Sequence, residues 1–285
     1  MQFVSGLKER KLMRIGNKEF ASDKTHIMAI VNLTPDSFYD GGRFFSDKDI
    51  NIDKVLYSVD NLIKDGADII DIGGESTRPG FKPISVDEEL SRIIPAIREI
   101  KANYDIPISV DTYKGDVARA VIEEKVDMIN DIGFLSDDML QAIKGNDVTY
   151  CLMHNRNISN INRDDATITM EEMYNEFHNK LILLEEYGFN SSNVVIDPGI
   201  GFGKSNRDDI MILNNMSKLG IHDYPVLIGA SNKSCIDYVT HLDKDDRLEG
   251  TLAITAKAFY NNVSFVRVHN VRSNRLLLNM LNAIK

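Results

Sequence analysis

The chain has 285 residues, of which 43% are hydrophobic and 27% charged, and its formal net charge is −10. This composition is typical of a globular protein with a sizeable core and excludes a disordered or fibrous chain. The negative charge argues against broad DNA or RNA binding, which needs clustered lysine and arginine, and no stretch approaches the roughly 20 apolar residues of a membrane span.

The N-terminal residues lack the continuous apolar core of a signal peptide, and the two cysteines, Cys151 and Cys235, are too few for a disulfide framework. We therefore expect a cytoplasmic protein with reduced thiols. Residues 1–25 contain the stretch LMRIGNKEF, in which Gly16-Asn17 separates two short apolar runs. This pattern predicts a β-hairpin extension that plugs one end of the fold.

Short apolar runs then recur along the chain and do not alternate with polar residues, which is typical of strands covered on both faces. The runs span residues 27–31, 68–72, 106–110, 126–130, 148–153, 193–197, 225–230 and 264–268. Segments with helical spacing lie between them, for example over residues 86–104, 170–188 and 250–262. Eight strand–helix units predict an α/β protein, a (β/α)₈ TIM barrel forming a single domain over residues 1–285, with an open doubly wound sheet as the alternative.

Polar side chains stand where the predicted strands end. In a barrel these ends open onto one face, so residues far apart in sequence converge there. Asp or Asn at a single strand end is also explained by capping of the next helix, but eight such coincidences favour one shared pocket. The residues at the eight strand ends are Asn32, Asp71, Asp111, Asn130, Asp131, His154, Asp197, Lys233, Arg267 and His269.

The chemistry of this set indicates its ligand. Asp71, Asp111, Asn130 and Asp197 supply mainly acceptors and Lys233 supplies donors, which suits a flat heterocycle with an amino-amide edge. Three other members of the set suit a phosphate group, and one of them, Asn32, is also the candidate oxygen ligand to Mg²⁺. The residues assigned to the phosphate are Asn32, Arg267 and His269.

The connections over residues 33–51 and 73–85 are longer than the 2–6 residues that are usual after a strand in this fold. Long loops on the ligand face act as lids or clamps, and the candidate clamp residues are Phe38, Asp40, Thr77 and Arg78. The stretch GIGFGKS fails as a nucleotide-binding P-loop, because Pro198 stands where the first glycine is required. Its lysine, Lys204, is then predicted to be a solvated or phosphate-neighbouring charge.

The ordered blocks IVNLTPDSFYDGG, DIGGESTRPG, SVDT, INDI, LMH, DPGIGFGK, SNKS and VRVHNV closely resemble those of the dihydropteroate synthase family, over nearly the whole barrel. The resemblance implies condensation of 6-hydroxymethyl-7,8-dihydropterin diphosphate with p-aminobenzoate, with Mg²⁺, in a homodimer. It implies no covalent enzyme intermediate, and the sequence offers no Ser-His-Asp or Cys-His arrangement for one.

Residue by residue, the resemblance assigns three groups of contacts. The pterin ring would meet Asp111, Asn130, Met153, Asp197 and Lys233. The diphosphate and Mg²⁺ would meet Asn32, Arg267 and His269. The p-aminobenzoate would meet Thr77, Phe202 and Ser234, with its carboxylate near the helix after Lys233. The residues expected to act in catalysis are Asp111, Asp197, Lys233, Arg267 and His269.

Two departures from the family pattern stand out: Asn232 replaces the usual arginine, and residues 155–169 replace a Gly-Thr-Pro-like segment, which changes the connection over residues 154–169. Because of Asn232, a paralogue that binds pterin but has lost catalysis is one alternative. A methyltetrahydrofolate methyltransferase is another alternative, although TPDSF and STRP are not needed there. A metal-dependent aldolase or isomerase is disfavoured, because the sequence has no His/Asp/Glu cluster with metal-ligand spacing.

Overall fold

The computed structural model describes residues 12–35, 44–46, 49–76, 82–156, 168–219 and 224–284. Within these ranges an eight-stranded parallel sheet has the order β10-β9-β8-β7-β6-β3-β12-β11. Its two outer strands meet through the parallel bridge between Ile196 and Val226, so the sheet closes on itself. The predicted barrel is confirmed, and the open sheet is not formed.

The barrel strands coincide with the predicted apolar runs to within two or three residues at each end. They are β3 (His26–Asn32), β6 (Ile69–Gly73), β7 (Ile108–Thr112), β8 (Met128–Asp131), β9 (Thr149–Met153), β10 (Val194–Asp197), β11 (Leu227–Ile228) and β12 (Phe265–Val268). The short strands β4 (Phe45–Ser46) and β5 (Asp49–Ile50) pair with each other in the connection after β3.

Helices follow the barrel strands and cover the sheet from outside. They are α1 (Ile52–Lys64), α2 (Val86–Asn103), α3 (Gly115–Glu123), α4 (Asp137–Ile143), α5 (Met170–Glu186), α6 (Asn206–Asn214), α7 (Ser234–Thr240), α8 (Leu248–Tyr260) and α9 (Val271–Ile284). Serine and threonine caps start several of them; Thr169 and Ser205, for example, each form a capping box with an acidic residue three positions later. Two helices, α7 and α8, follow β11, which the eight-unit pattern did not predict.

The predicted hairpin consists of β1 (Leu12–Ile15) and β2 (Lys18–Ala21), joined by a turn in which Gly16 has φ +59°. Its apolar side chains pack inside the barrel against residues near the amino ends of the strands. This inner cluster contains Met13, Ile15, Phe20, Met28, Ile69, Met128, Cys151, Val195, Leu227 and Phe265. The hairpin therefore closes the amino-terminal end of the barrel, as predicted, and Cys151 is a buried core residue with a free thiol.

The larger cluster lies between the strands and the helices and uses the alternate residues of the same strands. No helix within the described ranges is long and apolar enough to cross a membrane.

Candidate active site

Strand alternation places a polar layer directly above the inner apolar cluster. In β6, Ile69 belongs to the inner cluster and Ile70 and Ile72 to the outer one, so Asp71 points into the barrel. The same alternation applies to the other strands. It turns inward Asn32, Ser109, Asp111, Asn130, Met153, Asp197 and Arg267. Polar chemistry at the end of a buried strand thus has a physical reason: the strand passes from the core into a pocket.

Arg267 ties two carboxylates together at the centre of this layer. Its Nε donates to Asp71 Oδ2 at 2.5 Å, and its Nη2 donates to Asp111 Oδ2. Burial lowers the pKa of Arg267, but the two carboxylates outweigh burial and raise it, so the guanidinium stays charged. Burial raises the pKa of Asp111 to about 7, opposed by Arg267 and reinforced by Asp71.

Four buried oxygens of the layer have no hydrogen-bond partner among the described residues: Asp71 Oδ1, Asp111 Oδ1, Asn130 Oδ1 and the hydroxyl oxygen Ser109 Oγ. Within the described part of the chain, the Asn130 amide is oriented by a long contact, 3.4 Å, from its Nδ2 to Asp71 Oδ2. Buried acceptors without donors are costly in a native fold, so such a group signals a ligand that brings N–H donors. The sequence-based assignment of these side chains to a donor-bearing heterocycle agrees with this geometry.

Asp197 completes the set of acceptors from the other side of the barrel. Its Oδ1 accepts from the Gly199 backbone N–H at 2.7 Å. Gly229 lies opposite, and a Cβ added there would stand 3.6 Å from Asp197 Oδ2, so the glycine keeps space beside the carboxylate. Burial raises the pKa of Asp197 to about 6, and the hydrogen bond from Gly199 acts in the opposite direction. Met153 pairs with Asp197 in register and is buried beside it.

Lys233 and Phe202 form the wall next to Asp197. The Lys233 Nζ lies 4.2 Å from the centroid of the Phe202 ring, a cation–π distance. Burial lowers the pKa of Lys233, and Arg267 acts in the same direction. Ser234, which begins α7, donates its hydroxyl to Asn206 Oδ1 at 2.9 Å. Phe202 and Ser234, which the family resemblance assigns to p-aminobenzoate, therefore lie beside Lys233, which it assigns to the pterin ring.

His269 and Asn32 stand at the ends of neighbouring strands, since β12 pairs with β3. The Nδ1 of His269 lies 3.0 Å from Ser231 Oγ, which also accepts from the His269 backbone N–H at 3.3 Å. Ser231 orients this ring and was not predicted as a site residue, although it is the first residue of the SNKS block that contains Lys233. Beside Asn32, a Cβ on Gly73 would stand 3.4 Å from Asn32 Oδ1.

Two of the strand-end residues do not face the pocket, and for them the prediction of one shared site is wrong. The carboxylate of Asp131 accepts from the Gly133 and Leu135 backbone N–H groups, each at 2.7 Å, and from the Tyr150 hydroxyl. It is the residue after inward-facing Asn130, so alternation turns it outward. His154 instead contacts Glu176, with 2.7 Å between Nε2 and Oε2.

A buried ion-pair network, which the sequence did not predict, joins the two ends of the connection between β6 and α2. Lys114 contacts Glu75 and donates to Glu89 Oε2 at 2.7 Å and to the Ile84 carbonyl oxygen at 2.8 Å. Glu75 also accepts from the Ile84 N–H at 3.1 Å and from the Tyr113 hydroxyl at 2.8 Å. Residues on both sides of the connection are thereby held to the start of α3.

The clamp candidates of both long connections, Phe38, Asp40, Thr77 and Arg78, lie outside the described residues. Asn232, by contrast, is described: it has φ +58°, a conformation that Asn tolerates better than most residues. Its backbone N–H donates to Thr251 Oγ1 at 3.1 Å, and its carbonyl oxygen accepts from Arg247 at 3.1 Å. An arginine is therefore present next to position 232, at the start of α8.

These features define a class of protein: a barrel whose mouth gathers buried hydrogen-bond acceptors beside cationic side chains, an arrangement that suits a ring with N–H donors. The pterin-binding enzyme family model matches residues 28–269. A dihydropteroate synthase of Clostridium beijerinckii is 42% identical over 276 residues, covering 95% of this chain and 99% of that one.

Solved structures agree with this similarity. The Xanthomonas albilineans dihydropteroate synthase with 4-aminobenzoic acid is 32% identical, with a TM-score of 0.85 over 96% of this chain and 98% of that one. The same enzyme in complex with 7,8-dihydropteroate matches with 29% identity and a TM-score of 0.81 over the same shares of the two chains. The chain belongs to the pterin-binding enzyme family and, within it, to the dihydropteroate synthases.

Proposed function

We propose that this protein joins 6-hydroxymethyl-7,8-dihydropterin diphosphate to p-aminobenzoate, giving 7,8-dihydropteroate and pyrophosphate. The observation that carries the proposal is the trio of buried acceptors, Asp71 Oδ1, Asp111 Oδ1 and Asn130 Oδ1, beside Arg267. A dihydropterin ring brings an amino group and ring N–H groups to such acceptors. The proposal is also supported by the similarity to dihydropteroate synthases, one of which has a solved structure in complex with 7,8-dihydropteroate.

The pterin ring is assigned to the polar layer. Asp111, Asn130 and Asp197 accept from the ring's N–H groups, Lys233 donates to its oxygen or nitrogen acceptors, and Met153 packs against it. Because unpaired buried polar groups are costly, this site would reject a ring that lacks the matching donors. Asp71 offers its Oδ1 as a further acceptor, and its Oδ2 holds Arg267 and Asn130 in place.

The diphosphate is assigned to Arg267, His269 and Asn32 at the ends of β12 and β3. Asp71 and Asp111 accept from Nε and Nη2 of Arg267, so Nη1 is the nitrogen that we assign to a phosphate oxygen. Ser231 fixes the ring of His269. These groups are already in place before negative charge develops on the leaving group, and donors preorganised in this way lower the reaction barrier.

The residues present fit an Mg²⁺ ion that is held mainly by the substrate. No group of three or more His, Cys, Asp or Glu side chains that could hold a metal lies within the described residues. Asn32 Oδ1, with the open space that Gly73 leaves beside it, offers one oxygen ligand, and Mg²⁺ commonly takes one or two protein oxygens together with substrate phosphates. When bound there, the ion would neutralise negative charge on the departing pyrophosphate.

In the reaction, the bond between the pterin methylene carbon and the diphosphate oxygen breaks, and pyrophosphate takes the electron pair. The p-aminobenzoate nitrogen forms the new bond to that carbon and releases a proton to pyrophosphate or water. Asp111 and Asp197 stabilise positive charge on the ring as the leaving group departs. Phe202 and Ser234 border the amine substrate next to Lys233, which binds the pterin ring, and Thr77 and Arg78 remain candidates for the second side of the amine.

One assay tests the proposal directly. The protein is incubated with the pterin diphosphate, p-aminobenzoate and Mg²⁺, and dihydropteroate and pyrophosphate are measured in parallel. We expect both products in equal amounts and no dihydropteroate without the amine. Tight pterin binding without product would overturn the proposal in favour of a paralogue that binds pterin without catalysis.

We also propose a homodimer that forms through α9. Leu276, Met280 and Ile284 follow one another at four-residue spacing and are about 60% exposed, and Tyr260 of the adjacent helix α8 is equally exposed. A row of large apolar side chains in water is typical of a protein interface. The second copy of this chain is the proposed partner, in line with the family resemblance.

Met280→Glu is expected to give a monomer at concentrations where the unchanged protein is a dimer, because it places a charge in the apolar row. Asn282→Glu, exposed on the same helix outside this row, is the control and should leave the dimer intact. Sedimentation velocity measures both. A dimer that survives Met280→Glu would exclude α9 as the interface.

We place the reaction in the cytoplasm. Both cysteines are buried and free, as in proteins of reducing compartments.

A further inference from the structure

The predicted solvated lysine of the DPGIGFGK segment, Lys204, is in fact only 3% exposed. Its Nζ donates to three backbone carbonyl oxygens, those of His154, Gly199 and Phe202, each at 2.9 Å. An ammonium group has three donors, so these contacts use all of them. The charge is therefore built into the fold and does not meet a phosphate in water.

The turn around Lys204 has a shape that this ammonium group stabilises. Gly199 and Gly201 have φ +65° and +80°, and the carbonyl oxygens of Gly199 and Phe202 both point at Nζ. Carbonyl dipoles whose negative ends converge repel each other unless a cation lies between them. A Cβ on Gly199 would stand 2.1 Å from the His154 carbonyl oxygen, so the turn also lies directly against the end of β9.

This turn carries two groups of the active site. The Phe202 ring lies 4.2 Å from Lys233 Nζ, and the Gly199 N–H donates to Asp197. Lys204 thus lies behind the wall that Phe202 forms, two residues further along the chain, without being part of the pocket surface.

We propose that Lys204 is a positioning residue for the amine substrate: it holds the turn over residues 199–203 so that Phe202 forms a wall of the p-aminobenzoate subsite beside Lys233. The inference rests on the proposed function, because it assigns that subsite to Phe202. Lys204 touches neither substrate and acts through the turn. Its charge has a second effect, since together with Arg267 and Lys233 it favours the ionised form of Asp197.

The test uses Lys204→Met, which keeps the length of the side chain and removes the donors. The control is Lys180→Met, because Lys180 also donates to a backbone carbonyl oxygen, that of Leu135 at 2.9 Å, away from the turn. Binding of p-aminobenzoate is measured by calorimetry on full-length protein saturated with a pterin and pyrophosphate, and binding of the pterin alone is measured at pH 8 and pH 6. Thermal unfolding reports whether each variant is folded.

For Lys204→Met we expect p-aminobenzoate to bind about tenfold more weakly, the size of a lost aromatic contact. Pterin binding should be unchanged at pH 8, where Asp197 is ionised in both proteins. At pH 6 it should weaken, because loss of the nearby cation moves the pKa of Asp197 upward from about 6. Lys180→Met should change none of these values.

Unchanged p-aminobenzoate binding in a folded Lys204→Met protein would overturn the proposal, as would equal weakening of both ligands at pH 8. If that variant does not fold, Lys204→Arg replaces it: it keeps the charge but cannot direct three donors to one point, so weaker amine binding is again expected. Failure of both variants to fold would also overturn a positioning role. Because binding is the readout, these results stand whether or not the unchanged protein forms dihydropteroate.

Discussion

Asp111→Asn is expected to weaken binding of a dihydropterin by about 10- to 100-fold at pH 8, the cost of one hydrogen bond to a charged group. The substitution keeps the shape of the side chain but removes the negative charge from an oxygen that has no donor among the described residues. Isothermal calorimetry measures the change. The difference from the unchanged protein should shrink as the pH falls below about 7, because the Asp111 carboxyl then takes up a proton.

Asp131→Asn is the matched control, since Asp131 is also a buried aspartate at a strand end, one strand away. Its oxygens are used by Gly133, Leu135 and Tyr150, so the variant should lose about 1–3 kcal/mol of stability and keep its pterin affinity. Equal pterin affinity in Asp111→Asn and Asp131→Asn at pH 8 would contradict our assignment of the pocket.

The contrast between these two aspartates shows what sequence reasoning could and could not predict. The positions of the strands were predicted closely. Apolar runs that do not alternate with polar residues are typical of strands covered on both faces, and eight such runs recur along the chain. The strand-end residues were also identified. Which of two adjacent polar residues faces inward depends on the register of each strand, and the sequence pattern alone therefore assigns Asn130 and Asp131 to the same pocket.

The features that the sequence did not predict depend on contacts between distant parts of the chain. Lys114 meets Glu75 and Glu89, at separations of 39 and 25 residues, and a lysine at the start of a helix carries no local sign of such partners. Lys204 was predicted to be solvated because its carbonyl partners belong to the backbone, which a side-chain pattern does not show. Ser231 could have been found, since it follows a predicted strand and precedes Lys233.

The position of Arg267 was likewise predicted only in part. The sequence placed it at a strand end and the resemblance assigned it to the diphosphate. The ion pairs with Asp71 and Asp111 join β12 to β6 and β7, across separations of 196 and 156 residues. Arg267 is therefore expected to serve both substrate binding and the stability of the barrel mouth.

Arg267→Ala is expected to have the largest effect, because it leaves two buried carboxylates without their cation. At pH 8 the variant should lose about 3–5 kcal/mol of unfolding free energy, the usual cost of breaking a buried ion pair. It should also lose about 100- to 1000-fold in kcat/KM, the cost of one preorganised donor. Denaturant unfolding and the product assay measure the two effects.

The control is Arg275→Ala, which removes an ion pair with Asp68 at 2.5 Å in a more exposed place on the outside of the barrel. That loss should be smaller, about 1 kcal/mol or less, with no change in kcat/KM.

The pH dependence separates a lost ion pair from a general packing defect in Arg267→Ala. Burial already raises the pKa of Asp111 to about 7 in the presence of Arg267, and removal of the cation raises it further. The native state then binds a proton that the unfolded state, with a carboxyl pKa of about 4, has released, so stability falls as the pH rises between these values. The deficit of Arg267→Ala should therefore be small at pH 5 and grow toward pH 8. A deficit of equal size at pH 5 and pH 8 would mean that packing, not the charge of the guanidinium, is what the barrel mouth loses.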